Sequence, residues 1–246
     1  MNRTRLKPAV ALLALACPVA LPKPALAETN LGALAAVLAG THVGAGNPQP
    51  DSGVAAGALL ELTQRWNRVR IHLEGIPEVG VAGTATGSYG RSSASLSILN
   101  ATAEAALDKN QVVRAGFGFQ VVNLDNFNGQ NGNRDQSRVT SPRFQGVARF
   151  PAARGRFAEL MFADMPRIDG VLHSFGPALQ ELPSKPELGA EVDYSAAYGW
   201  RSARGRELLL GFRGLSYHTR NAANGQLVDR NVGAGLTLEV RFPVAK

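Results

Sequence analysis

The most regular alternation of apolar and polar residues in this chain lies near its end, in residues 231–242 with the sequence N-V-G-A-G-L-T-L-E-V-R-F. Successive side chains of a β-strand point to opposite faces, so the alternation predicts a strand with two different faces. An apolar face about ten residues long that ends in an aromatic residue is typical of a lipid-facing strand in a membrane barrel. That face consists of Val232, Ala234, Leu236, Leu238, Val240 and Phe242.

Similar alternation along the chain predicts ten strands, and the connections between them differ in length. The connections after even-numbered strands are tight, whereas those after odd-numbered strands, 46–52, 80–90, 124–137, 168–186 and 220–228, are longer and rich in Gly, Asn, Asp and Pro. This arrangement is typical of an all-β, antiparallel, up-and-down transmembrane β-barrel. Ten strands are predicted, with eight as the alternative, at residues 31–45, 53–66, 67–79, 91–107, 110–123, 138–150, 155–167, 187–200, 205–219 and 229–243.

Two of these segments fit the pattern less well than the others. Residues 31–45 are also compatible with a short helix, and they are counted as a strand because the alternation of short and long connections requires it. In the predicted strand 91–107, the apolar parity of Ala94, Leu96 and Ile98 also includes Glu104. A β-bulge or a slipped strand end is therefore expected there.

On this pattern the chain resembles the small bacterial outer-membrane β-barrels, whose closing strand has the same two faces. In that class the aromatic is usually the last residue, whereas four residues, Pro243 to Lys246, follow Phe242 here. The resemblance implies an outer-membrane location and periplasmic termini. It also implies contact with outer-membrane lipid and, during biogenesis, with the barrel-assembly machinery.

The first 27 residues have the features of a cleaved secretory signal peptide, followed by a single barrel domain at 28–246. Arg3, Arg5 and Lys7 precede an apolar core, and Ala25-Leu26-Ala27 provides a small-x-small cleavage site. Cleavage would remove Cys17, the only cysteine, and four of the 26 basic residues, leaving a net charge near +3. The basic pI of the whole chain is therefore no argument for nucleic-acid binding, and no nucleic-acid partner is predicted.

Four aromatic residues end even-numbered strands and share parity with the apolar residues of those strands. Aromatic residues at one end of the lipid face form an interfacial girdle in outer-membrane barrels. The alternative, a secreted β-sandwich, would scatter inward aromatics over several depths. The predicted girdle consists of Trp66, Phe150, Trp200 and Phe242.

The opposite parity assigns an inner set of charged residues in which acids and bases nearly balance. Buried charges must pair, so the sequence predicts a lumen filled by Arg–carboxylate pairs. A narrow pore for small solutes is the alternative, although no ring of one sign, as a selective pore would need, is present. The set is Glu61, Arg65, Arg68, Arg70, Glu74, Arg114, Arg143, Arg149, Glu159, Glu191, Asp193, Glu207, Arg213, Glu239 and Arg241.

The second alternative is a hydrolase at the rim of the barrel. His218 and Asp229 flank one loop, and Ser216 shares a strand face with His218, as an activated-water hydrolase or a lipid esterase requires. The omptin proteases are ten-stranded barrels with a rim site, but this likeness is architectural and no omptin motif is present. No metal-binding or cofactor-binding spacing is found, so neither is predicted. The leading prediction is a non-enzymatic structural or interaction barrel with displayed loops.

Overall fold

The structure of the protein is a computed structural model that describes residues 28–44, 51–83, 92–127, 134–175 and 185–244. The predicted signal peptide and most of the predicted long loops lie outside these residues. Within the described ranges, no helix is long and apolar enough to cross a membrane.

Ten antiparallel strands form a closed barrel in which each strand pairs with its neighbours in the sequence. The last strand pairs with the first and closes the sheet, with Leu31 opposite Phe242 and Val37 opposite Leu236. The strands are β1 (Glu28–Gly44), β2 (Asp51–Trp66), β3 (Val69–Gly83), β4 (Ser92–Ala106), β5 (Val113–Phe127), β6 (Arg134–Pro151), β7 (Arg156–Phe175), β8 (Lys185–Arg201), β9 (Glu207–Asn221) and β10 (Leu227–Pro243).

The predicted fold class and the predicted count of ten strands are confirmed. The ambiguous segment predicted at 31–45 is a strand as far as Gly44, the last residue described there, and it pairs with both β2 and β10. Closure removes the free edges, which is what lets every backbone group of a sheet be paired within a membrane.

The strands are longer than predicted at the end where the long connections lie. β7 continues to Phe175 and β6 starts at Arg134, whereas the predicted strands ended near 167 and began near 138. The one connection at this end that lies wholly within the described residues, 222–226 between β9 and β10, spans five residues, against two to six for the connections at the other end. The sequence pattern predicted a longer connection there, at 220–228.

The two faces of the barrel wall reverse the usual distribution of apolar and polar residues. Leu60, Phe119 and Leu236 are exposed on the outside, at 60%, 62% and 68% of their surface. Carboxylates such as Glu74 and Glu104 and the guanidinium of Arg143 are buried inside. Such a wall suits a lipid surround and a polar interior.

The structure corrects the predicted faces of β4. The strand keeps one parity throughout, with no bulge of its own between Ser93 and Ala106, so Ile98 and Glu104 both face the interior. The irregularity lies instead in β3, between Ile76 and Val79. The prediction failed because an apolar residue at position 98 was taken as a sign of lipid, whereas it packs inside the barrel.

We call the end of the barrel with the short turns the lower end and the end with the long connections the upper end. Aromatic residues lie at the lower limit of the outer apolar band, and polar residues appear at its upper limit. Trp200 pairs with Leu208 near the short turns, and eight residues further along β9, Ser216 lies opposite Val192 and Val232. The row that contains Asp164, Val192 and Ser216 thus mixes polar and apolar side chains on the outward parity. Leu236 and Phe212 pair midway between these two levels.

Candidate functional site

The interior of the barrel is the candidate site, and Arg241 on β10 is its most connected cation. Its guanidinium lies 2.8 Å from Glu159, 3.6 Å from Glu61 and 3.8 Å from Glu207. It also donates a hydrogen bond to Glu239 on its own strand. One arginine therefore serves four carboxylates from β2, β7, β9 and β10.

A second cluster lies across the lumen, where Arg213 and Arg143 share Asp193. Arg213 donates to both oxygens of Asp193, at 3.1 and 2.7 Å, and its other nitrogen bonds Glu74 of β3. Arg143 is fully buried and lies 3.1 Å from Asp193. Gln120 joins the cluster to Glu191 by accepting from Arg143 and donating to Glu191.

A third cluster centres on Glu104, which parity had placed outside. Arg70 donates to both its oxygens at 2.7 and 2.8 Å, and Gln145 donates to one of them at 2.8 Å. Glu104 was missed because the faces of β4 were assigned from its other half. Its pairing with Arg70 is the geometry that gives charge-assisted bidentate bonds their strength.

The buried ring of Phe157 lies in the lumen at the end of the short turns. The guanidinium of Arg149 lies 3.6 Å from the centre of the Phe157 ring, a cation–π contact. Arg149 also donates to Glu207 at 2.7 Å. Gly199 makes room for the ring, since a Cβ there would lie 2.3 Å from Phe157.

An apolar cluster lies in the interior on the side of the long connections, beside the charged clusters. Val122, Val139, Ile168 and Tyr217 form one buried cluster, and Ile98 and Leu215 pack against it. These residues come from β4, β5, β6, β7 and β9, so the layer reaches across the barrel. The described part of the lumen therefore contains an apolar layer as well as the charged clusters.

A small cavity of about 60 Å³ remains between the charged clusters. It is lined by residues that include Glu61, His72, Glu239 and Arg241. A single water needs roughly 10–15 Å³, so this volume suits a few water molecules.

Arginines are outnumbered by carboxylates inside the barrel. Among the described residues, six arginines and eight carboxylic acids line the lumen. Three of these arginines, Arg149, Arg213 and Arg241, contact more than one acid. The arginines are Arg70, Arg114, Arg143, Arg149, Arg213 and Arg241, and the acids are Glu61, Glu74, Glu104, Glu159, Glu191, Asp193, Glu207 and Glu239.

Two members of the predicted inner set lie elsewhere. Arg68 is exposed in the turn between β2 and β3, because β3 begins at Val69 and not at residue 67 as predicted. Arg65 is half-buried at the rim and bonds Gln111 at 2.6 Å, with Glu28 at 3.6 Å. Parity alone does not show where a strand leaves the barrel.

The four predicted girdle aromatics all lie at the ends of even-numbered strands, close to the short turns. Phe150, Trp200 and Phe242 are exposed on the outer face, and Trp66 is half-exposed. Tyr198 adds to them, with its ring centre 5.0 Å from that of Trp200.

The three residues considered for catalysis occupy separate positions in the β9–β10 ladder. His218 lies opposite Arg230 in the β9–β10 ladder, whereas Asp229 lies opposite Thr219. Neighbouring positions on a strand alternate between faces, so His218 and Asp229 hold opposite-facing register positions. Ser216 and His218 share the outward parity of Leu210 and Phe212. No group of three metal-binding side chains occurs in the part of the chain that the structure describes.

No protein-family model matches this chain, and no curated protein sequence matches it. Its fold is similar to that of the outer membrane protease OmpT from Escherichia coli, with a TM-score of 0.64 and 8% identity, over 91% of this chain and 99% of that one. The β domain of the Bordetella autotransporter BrkA matches with a TM-score of 0.48 and 11% identity, over 88% and 99%. The P. putida toluene transporter TodX matches with a TM-score of 0.35 and 8% identity, over 92% of each chain.

At such low identity the likeness to OmpT concerns the fold alone, but it covers nearly the whole length of both chains. It agrees with the closed ten-stranded sheet and with the apolar outer and polar inner faces. The chain has the fold of an outer-membrane β-barrel.

Proposed function

We propose that the protein is a non-conducting, non-enzymatic barrel of the outer membrane with periplasmic termini. Its role is structural or interactive and is carried by its displayed loops and its lipid-facing surface. The observation that carries this proposal is the filled lumen. Among the described residues, Phe157 and the arginine clusters lie in the part of the lumen nearer the short turns, and the layer around Ile168 and Tyr217 lies in the part nearer the long connections.

The filled lumen argues against the narrow pore that the sequence left open. A conducting pore needs a continuous wet path lined by groups that replace part of an ion's hydration shell. Ten strands enclose an interior close in size to the filled eight-stranded barrels, and bulky arginines occupy it here. Arg143 and Met165, at mid-height, have no exposed surface.

Single-channel recording of the refolded protein in a planar bilayer tests the proposal. We expect no regular conductance steps at either polarity. A porin that is refolded in the same way provides the positive control. Unit-sized, reproducible steps from the purified barrel would overturn the proposal and favour the pore.

The non-enzymatic part of the proposal is supported by the register of β9 and β10. A hydrolase needs its base within hydrogen-bond reach of a nucleophile or of an activated water and oriented by a third group. His218 lies opposite Arg230 and not opposite an acid. OmpT is named a protease, but only the fold is shared. Hydrolysis of peptide or phospholipid-ester substrates above the level of a heat-denatured sample would contradict this part.

The orientation of the termini is tested with two exposed alanines at opposite ends of neighbouring strands. Ala203 lies in the β8–β9 turn and Ala223 in the β9–β10 turn. We expect an epitope tag inserted at Ala223 to be labelled on intact cells, and a tag at Ala203 to be labelled only after permeabilisation. The reverse pattern would invert the proposed topology.

A further inference from the structure

All four short turns carry exposed basic side chains, which together form a short-turn rim around the barrel. None of these side chains has an ion pair or a hydrogen bond within the described part of the chain. The short-turn rim is defined as Arg68, Lys109, Arg154, Arg156, Arg204 and Arg206.

The acids near this rim are already engaged. Glu28 lies 3.6 Å from Arg65. Asp108 accepts the backbone N–H groups of Val113 at 2.8 Å and Asn110 at 2.9 Å. The bond from Val113 holds the pKa of the Asp108 carboxyl below its usual value, so this acid serves to fix its own turn. Glu207 bonds Arg149 and Arg201.

The other end of the barrel has no comparable excess of positive charge in its sequence. The five connections predicted to be long contain three basic and five acidic residues. The other end also carries basic residues, but acids outnumber them in these connections, so the excess of positive over negative charge lies at the short-turn end.

The position of the short-turn rim identifies the kind of partner. Arg156 lies directly opposite Trp200 in the β7–β8 ladder, on the outward face. Trp200 belongs to the aromatic girdle, and such girdles lie at the level of lipid headgroups. The basic groups thus begin where the apolar outer band ends, next to the headgroups of the leaflet that the short turns face.

We infer that the short-turn rim binds the phosphates of anionic phospholipids in that leaflet. Basic residues beside a membrane span attract anionic lipid, and arginine forks match phosphate oxygens. The distribution of the six residues over all four short turns suits many small headgroups arranged around a ring. It suits a single soluble polyanion less well, because such a ligand would favour one concentrated patch.

The experiment compares the lipid selectivity of the full-length barrel with that of charge-neutralised variants. The protein is refolded into phosphatidylcholine vesicles that contain a minor fraction of phosphatidylglycerol. Energy transfer from the tryptophans at the girdle to a headgroup-labelled lipid reports the relative association of each lipid. We expect phosphatidylglycerol to be enriched around the wild type, and the enrichment to weaken as salt is raised.

Two double variants provide the matched comparison. Arg68→Gln with Arg204→Gln removes two charges from the short-turn rim, and Arg138→Gln with Arg230→Gln removes two exposed arginines near the other end. We expect the first to reduce the enrichment severalfold and the second to leave it near the wild-type value. Equal loss in both variants, or no enrichment around the wild type, would overturn the inference. The inference would also be overturned if the first variant kept the wild-type lipid preference but bound inorganic polyphosphate more weakly than the wild type in detergent.

Discussion

Replacing Arg241 by methionine is expected to lower the free energy of unfolding by about 3–5 kcal/mol, the usual cost of removing one partner from a buried ion pair. Methionine retains much of the length of arginine but carries no charge. In this variant Glu159 and Glu207 would still be paired with Arg149, which lies 3.6 Å from Glu159 and 2.7 Å from Glu207. Glu61 and Glu239 would be left without a cation within ion-pair distance among the described residues. Urea titration of the barrel refolded in lipid vesicles measures the effect.

The control for this variant is Glu239→Gln, which keeps the shape and removes one of the four carboxylates around Arg241. Because acids outnumber arginines in the lumen, neutralising one of them should cost far less than losing the shared cation. The loss in Arg241→Met should also shrink in acid, where protonated carboxyl groups no longer need a cation. An Arg241→Met barrel as stable as the wild type would show that water reaches this cluster and would argue for a wet lumen.

Much of the fold was predictable because the alternation of apolar and polar residues along a barrel strand indicates which face contacts lipid. In β10 every apolar residue from Val232 to Phe242 shares one parity, and the structure places that parity outside. β1, whose sequence is also compatible with a helix, was predicted as a strand because the alternation of short and long connections requires an even number of strands. The fold was thus readable from period-two patterning and turn lengths.

The interior was harder to predict, because parity gives the side of the wall but neither the height of a residue nor its partner. Arg213 bonds Glu74, a residue 139 positions away across the lumen. Arg70 lies opposite Arg65 and Glu104 in the ladders, and its partner is Glu104. Registers between strands and the tilt of the barrel decide such pairs. A single sequence contains neither.

The apolar upper layer of the lumen shows the limit of the parity rule. Ile98 and Leu215 face inward although apolar residues in a barrel wall usually indicate lipid. Inside the barrel they pack against Val122 and Ile168, where a charged residue would need a partner. In the sequence, an inward apolar residue looks the same as an outward one until the face of another residue on the strand is known. In β4 that residue is Glu104, whose inward position shows that Ile98 also faces inward.

Replacing Leu236 by arginine is expected to destabilise the barrel by about 2–4 kcal/mol, the cost of a lipid-facing arginine at the bilayer midplane. Leu236 is 68% exposed on the outer face and lies opposite Phe212 and Val37, midway between the girdle and the Ser216 row. Moving a guanidinium to this depth removes it from water without offering a carboxylate. Unfolding titrations in lipid vesicles measure the change.

The matched control is Val232→Arg, on the same strand and the same face but opposite Ser216. At that level the arginine can reach the headgroups, so we expect a cost of about 0–1 kcal/mol, as for arginines near the interface. The difference between the two variants measures depth rather than the loss of an apolar side chain, because both replace an aliphatic residue by arginine. Equal costs at the two positions would contradict the assigned height of the apolar band. A negligible cost at both would show that the outer face of β10 is not in contact with lipid, and with it the membrane assignment would fail.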